Sequence, residues 1–336
     1  MKKSFMVLSL SILLVGVLSF ISLAKTSPVV FLDESWDSAQ VHNRIAAYIV
    51  KHGYERKVEF LFSETLPGML GLERGDVHIC LDVWVNNTPE WWAKAQKKDS
   101  LVNLGVNYPN APQGWYVPTY VIKGDPERGI EPVAPDLQYV DDLEAYAGIF
   151  KDPEDPSKGR FYNAPPGWKI SSINEYKMKT LGLDKIYVIF SPGSDTALQT
   201  VARASYKKGE PVIFYYWQPT ALMGLFDMTR LKEKTPYDVA KWNEKAGYGC
   251  DFPAQSVLKL ANANFAEANP ELIDFFRRYE TTLGMNDQIL ARRSVDNLSL
   301  EETAIWFLKT YPNIWRAWIP EDRQDVLKKV NQVLGL

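Results

Sequence analysis

Short apolar runs alternate with helix-periodic segments along most of this chain, and that alternation limits it to an α/β fold on largely parallel sheets. Val29-Val30-Phe31-Leu32 reads as a strand and runs into the loop Asp33-Glu34-Ser35-Trp36. Asp37-Ser38 then opens a helix in which Val41, Ile45, Ala46 and Ile49 follow the helical period, and Gly53 closes it. Lys57 to Phe62 is a second strand, Thr65 to Gly71 starts a second helix, and Val77 to Trp84 is a third strand. Thr88-Pro89-Glu90 supplies a cap, a first-turn proline and an acid in order, so another helix starts there.

Residues 123 to 160 interrupt this pattern. Pro126, Pro132, Pro135, Pro153 and Pro156 stand among acids, which predicts mostly loop. New strands are predicted over Leu143 to Ile149, Lys185 to Phe190 and Pro211 to Tyr216. Helices are predicted from about Ile173 to Leu181 and from Ser194 to Lys208. The last hundred residues return to helices, at Pro270 to Leu283, Leu300 to Thr310 and Glu321 to Leu334. Two α/β units joined by extended crossings predict a two-lobed protein with a hinge and an inter-lobe ligand cleft. Ligands of such sheets lie at the carboxyl ends of the strands.

The N-terminus reads as an export signal. Met1-Lys2-Lys3 supplies positive charge, Phe5 to Ala24 is mostly apolar, and Ser22-Leu23-Ala24 places small residues for cleavage after Ala24. Residues 1–24 would then be the signal peptide, leaving a soluble, extracytoplasmic or periplasmic chain. The competing reading is an uncleaved anchor, because about 20 apolar residues can cross a bilayer. In an oxidising compartment Cys80 and Cys250 could pair, closing a long loop for ~4 kcal/mol. They could equally be two buried thiols beside strands, and the sequence leaves both open.

A net charge of -3 argues against nucleic acid as a partner. His42, His52 and His78 are scattered, and no Cys/His/acid set has zinc spacing. No nucleophile elbow or phosphate-binding loop occurs, so neither an enzyme nor a cofactor is expected. The stretch Asp152 to Gly159 could hold a calcium ion but lacks EF-hand spacing.

Eleven tryptophans carry the functional reading. Trp306, Trp315 and Trp318 fall among apolar helical neighbours, and Trp91, Trp92 and Trp242 lie on or near polar helices, so packing accounts for these. Trp36, Trp84, Trp115, Trp168 and Trp217 each stand beside a glycine, a proline or a strand end, where backbone presents the ring. Such convergent indoles suit a permanent cation with no N–H to donate, each face contributing ~0.5–2 kcal/mol.

In this pattern the chain resembles the substrate-binding proteins of glycine betaine/choline-type ABC importers, including relatives that bind trimethylamine N-oxide. Val83-Trp84 after a strand, Pro166-Gly167-Trp168, and Tyr216-Trp217 followed by Pro219 correspond in order to that family's three cage tryptophans. Trp115-Tyr116-Val117-Pro118 corresponds to a fourth wall found in some relatives. The resemblance implies one lobe of residues 27–118 plus 222–336 and another of 119–221. It implies that the amides of Lys169 and Ile170 hold a ligand carboxylate, with the Lys169 side chain either adding charge or lying at the surface. Thr88 stands where some relatives have a histidine, and Gln113 where N-oxide binders have an acid. Asp37 either serves the ammonium, as an acid near the first loop does in some choline binders, or caps its helix. The implied partners are a quaternary-ammonium solute (glycine betaine first, with choline, carnitine or trimethylamine N-oxide possible) and a membrane permease, the chain itself being a monomer.

Two other classes compete. Tryptophan faces also stack on sugars, so a secreted carbohydrate-binding protein fits the rings, although a glycosidase needs two placed carboxylates. The acids beside the tryptophan loops are Asp33, Glu34, Asp37 and Asp82. A ligand-sensing domain would keep its N-terminal anchor, and a chain ending at Leu336 without a cytoplasmic segment speaks against that.

Overall fold

The computed structural model describes residues 27–336; the predicted export signal and its cleavage point lie outside the described residues. The chain builds two five-stranded sheets. The first is ordered β2-β1-β3-β10-β4, from Val29–Asp33 (β1), Val58–Phe62 (β2), Ile79–Val83 (β3), Leu101–Ala111 (β4) and Gln255–Asn262 (β10). Strands β1, β2 and β3 run parallel, while β10 lies antiparallel between β3 and β4. The second is ordered β7-β6-β8-β5-β9, from Gln113–Pro118 (β5), Gly159–Tyr162 (β6), Tyr187–Phe190 (β7), Ile213–Trp217 (β8) and Met228–Arg230 (β9). Here β6, β7 and β8 are parallel, and β5 turns antiparallel against β8 and β9. Both sheets therefore combine a parallel βαβ half with antiparallel strands.

The helices that cover the sheets follow the sequence pattern. In α1 (Asp37–His52), Val41, Ile45, Ala46 and Ile49 are all buried, each large aliphatic contributing ~1.5–3 kcal/mol. Buried Asn43 of α1 donates to the Leu32 carbonyl and to Asp33 Oδ1, which fixes the loop leaving β1. Helices α2 (Thr65–Arg74), α3 (Lys169–Thr180), α4 (Asp195–Lys208), α5 (Leu283–Asp296) and α6 (Leu300–Thr310) complete the layers that matter here. Among the described residues no helix is long and apolar enough to cross a membrane.

Strand pairing shifts the expected lobe boundaries. Residues 113–118 and 228–230 were expected in the first lobe, yet β5 and β9 pair in the second sheet. The first crossing is therefore at Pro112, between β4 and β5. The second is near Pro253: Phe252 still packs on Tyr215 and Trp242, while Gln255 already pairs with Ala111. At the expected 221/222 boundary the chain does reach the first lobe, since helix Ala221–Leu225 packs on α5, before it returns to β9.

Other expectations are corrected locally. Leu143 to Ile149 is not a strand; Leu143–Tyr146 is a helical turn led in by Asp142, which accepts the Tyr139 amide at 2.8 Å. Asp152 is fully buried, accepting two backbone amides and pairing with Arg160 at 2.6 Å, so its carboxylate is already occupied by protein donors instead of calcium. Cys80 and Cys250 are both free and buried, in separate apolar clusters. Thermal unfolding with and without a thiol reductant should accordingly give the same midpoint; a drop on reduction would indicate a disulfide.

Candidate functional site

Carboxyl ends of strands from both sheets meet at one pocket. Trp36 follows β1, Trp84 follows β3 and Trp217 ends β8, while Trp168 occupies the N-cap of α3. All four line the pocket, whose space of about 430 Å³ includes open solvent at its mouth. The rings are almost wholly withdrawn from water, from 9% exposure at Trp84 to 4% at Trp217. Trp168 meets Trp36 at a centroid distance of 5.4 Å and 79°, and Trp217 at 4.9 Å and 77°. Successive rings at right angles form adjacent walls of a box.

Two of the four walls are held by a polar edge. The Trp84 indole N–H donates to Asp82 Oδ1 at 2.6 Å, and Asp82 also accepts from the Tyr108 hydroxyl at 3.0 Å. The Trp168 N–H reaches across the lobes to Ser35 Oγ at 2.8 Å, and Ser35 in turn donates to Glu64 at 3.4 Å. At the same seam the Pro-Gly turn lies so close to Glu64 that a Cβ on Gly167 would stand 2.8 Å from that side chain. A side chain at this position would force Glu64 to shift.

Lys169 and Ile170 also line the pocket, at the start of α3. No side chain caps that helix, and its first amides have no carbonyl one turn back to bond. The positive end of α3 therefore faces the cavity beside a lysine, which suits an anionic group.

Three expected residues do not reach the pocket wall. Trp115 is fully buried under α3, packed on Phe161 at 4.6 Å with the rings tilted by 47°, and its N–H bonded to Asn174 at 3.0 Å. It pairs with Tyr215 in the sheet, two residues along from the Gln113–Trp217 pair, and Asn174 of α3 lies over it. Gln113 lies behind the wall, accepting from the Tyr215 hydroxyl at 2.8 Å and donating to Asn87 at 2.9 Å. Asp37 is the first residue of α1, not its cap, and pairs with Arg293 of α5 at 3.0 Å. An acid there also complements the helix dipole.

Sequence reasoning passed over four wall residues: Glu34, Thr65, Asn87 and Tyr215. Tyr215 was readable, since alternation along β8 places it on the same face as Trp217. Glu34 is fully buried, and burial with the nearby Asp82 pushes its carboxyl well above the usual carboxylate range. Burial raises Asp82 as well, against the hydrogen bonds it accepts.

Three solved structures share this fold. A glycine betaine/L-proline-binding protein from Borrelia burgdorferi superposes with a TM-score of 0.72 at 16% identity, covering 89% of this chain and 99% of that one. A choline-binding protein of an ABC transporter, in complex with choline, gives 0.72 at 18%, over 92% and 98%. A lactococcal protein in its closed conformation with glycine betaine gives 0.68 at 15%, over 88% and 100%. No curated protein sequence matches. The architecture is that of two-lobed periplasmic binding proteins. Residues 27–310 match the substrate-binding domain of ABC-type glycine betaine transport systems, and the chain belongs to that family.

Proposed function

We propose that this chain is an extracytoplasmic solute receptor that binds a quaternary-ammonium compatible solute, glycine betaine foremost, and delivers it to an ABC importer. The observation that carries this reading is the convergence of Trp36, Trp84, Trp168 and Trp217 from two lobes beside the uncapped start of α3. Four indole faces provide ~2–8 kcal/mol toward a methylated cation, against the ~8 kcal/mol of micromolar binding. Burial of the methyl groups and an anchor at the other end make up the difference. The amides of Lys169 and Ile170, at the uncapped start of α3, would receive the carboxylate of a betaine, and Glu34 lines the same pocket. Binding between lobes would favour a closed state over an open one, which is the signal such a receptor gives a permease.

Intrinsic tryptophan fluorescence titrated with glycine betaine, choline, carnitine, trimethylamine N-oxide and a neutral sugar tests this directly. A saturable change is expected with at least one methylated ammonium compound and none with the sugar. The opposite pattern would make the rings a carbohydrate platform.

A further inference from the structure

The pocket wall contains one carboxyl group, among its described residues, and the surrounding protein leaves that group unsatisfied. Glu34 Oε1 is buried without a hydrogen-bond partner, and Oε2 has only the Cys80 thiol, at 3.7 Å. Among the described residues no ion pair involves Glu34, whereas the adjacent Asp33 pairs with Arg44 at 2.6 Å. A buried polar atom left without a partner costs ~1–3 kcal/mol, so a residue of this kind in a cage wall points to a missing partner.

We propose that Glu34 is the charge partner of the ligand's cationic head, and that binding is coupled to release of a proton from its carboxyl. This rests on the receptor reading above. The groups facing Glu34 are mostly acidic: Asp33 beside it in the chain, Asp82 and Cys80 on β3, and Glu64 ahead of α2, with Lys169 also lining the pocket. Burial first, then repulsion from Asp82, Glu64 and Asp33, holds the carboxyl protonated above its usual range. A quaternary ammonium entering the box reverses that balance, since an adjacent positive charge favours the carboxylate. The proton leaves to solvent, the Glu34 O–H bond breaks, and an ion pair replaces a neutral acid. Between the lower pKa of the occupied site and the raised pKa of the empty one, apparent affinity therefore rises with pH. The indole faces recognise the methyl groups, and Glu34 adds a preference for positive charge over a neutral isostere of the same shape.

Titration calorimetry of the responding ammonium ligand in phosphate and in Tris, at one near-neutral pH, reads the proton directly. Wild type should show enthalpies that differ between buffers as proton release requires, and Glu34→Gln should show none of that difference. Glu34→Gln should also weaken binding by roughly 10-fold or more, since one partner of a desolvated charge pair is lost. Equal wild-type enthalpies in the two buffers would overturn the proposal, with no variant needed. Persistence of the buffer difference in Glu34→Gln would overturn it too. A protein that answers no methylated ammonium compound would instead remove the receptor reading on which this one stands.

Discussion

Trp168→Ala should weaken binding of the ammonium ligand on the order of 100-fold, while the far-UV circular dichroism spectrum stays that of the wild type. The size of the effect follows from the position of the ring. Trp168 touches Trp36 on one side and Trp217 on the other, so its loss opens two corners of the box together. It removes a cation-facing surface worth ~0.5–2 kcal/mol and admits water to the remaining faces. It also deletes the hydrogen bond to Ser35, which joins the lobes beside the ligand. Central, desolvated tryptophans of this kind characteristically cost more than ~2 kcal/mol when truncated. The change should appear mainly as faster dissociation, measurable by stopped-flow fluorescence from the remaining indoles. Near-normal affinity in Trp168→Ala would show that the wall is not the binding surface.

Trp115→Ala should behave in the opposite way. The ring is fully buried between Phe161 and Asn174, so the variant leaves a large void and an unpaired Asn174 oxygen. Aromatic-to-alanine changes at such sites cost ~3–5 kcal/mol. Denaturant unfolding should register that loss, while the ligand affinity of the folded protein changes by less than about threefold. Intact stability with a collapse in affinity would restore Trp115 as the fourth cage wall that its motif implied.

The contrast between those two residues shows what was legible in the sequence. Turn residues and strand ends marked where the backbone presents a ring, and Trp36, Trp84, Trp168 and Trp217 do line one pocket. The same signal misplaced Trp115, because depth along a strand depends on pairing register, which local sequence does not carry. The parallel strands β1, β2, β3, β7 and β8 were readable as apolar runs. Parallel β6 and the antiparallel strands were not, and β4 and β10 each had a physical disguise. In β4, Asn103, Gly105 and Asn107 break the alternation, Asn107 being buried to donate to the Leu81 carbonyl. In β10, Lys259 looks like a solvent-facing residue. It is buried, and its ammonium donates to the carbonyls of Arg277 and Tyr279. Glu34 was noticed only as an acid near a tryptophan loop; its isolation from any basic partner emerges only in three dimensions.

Asn87 gives the architecture a further property. Its side-chain oxygen accepts from Gln113 at 2.9 Å and from Gln255 at 3.2 Å, and those two glutamines stand beside the crossings between β4 and β5 and ahead of β10. Asn87 itself closes the short turn that begins at Trp84 and contributes to the pocket wall. One oxygen in the pocket wall thus ties together the strand segments on either side of both crossings.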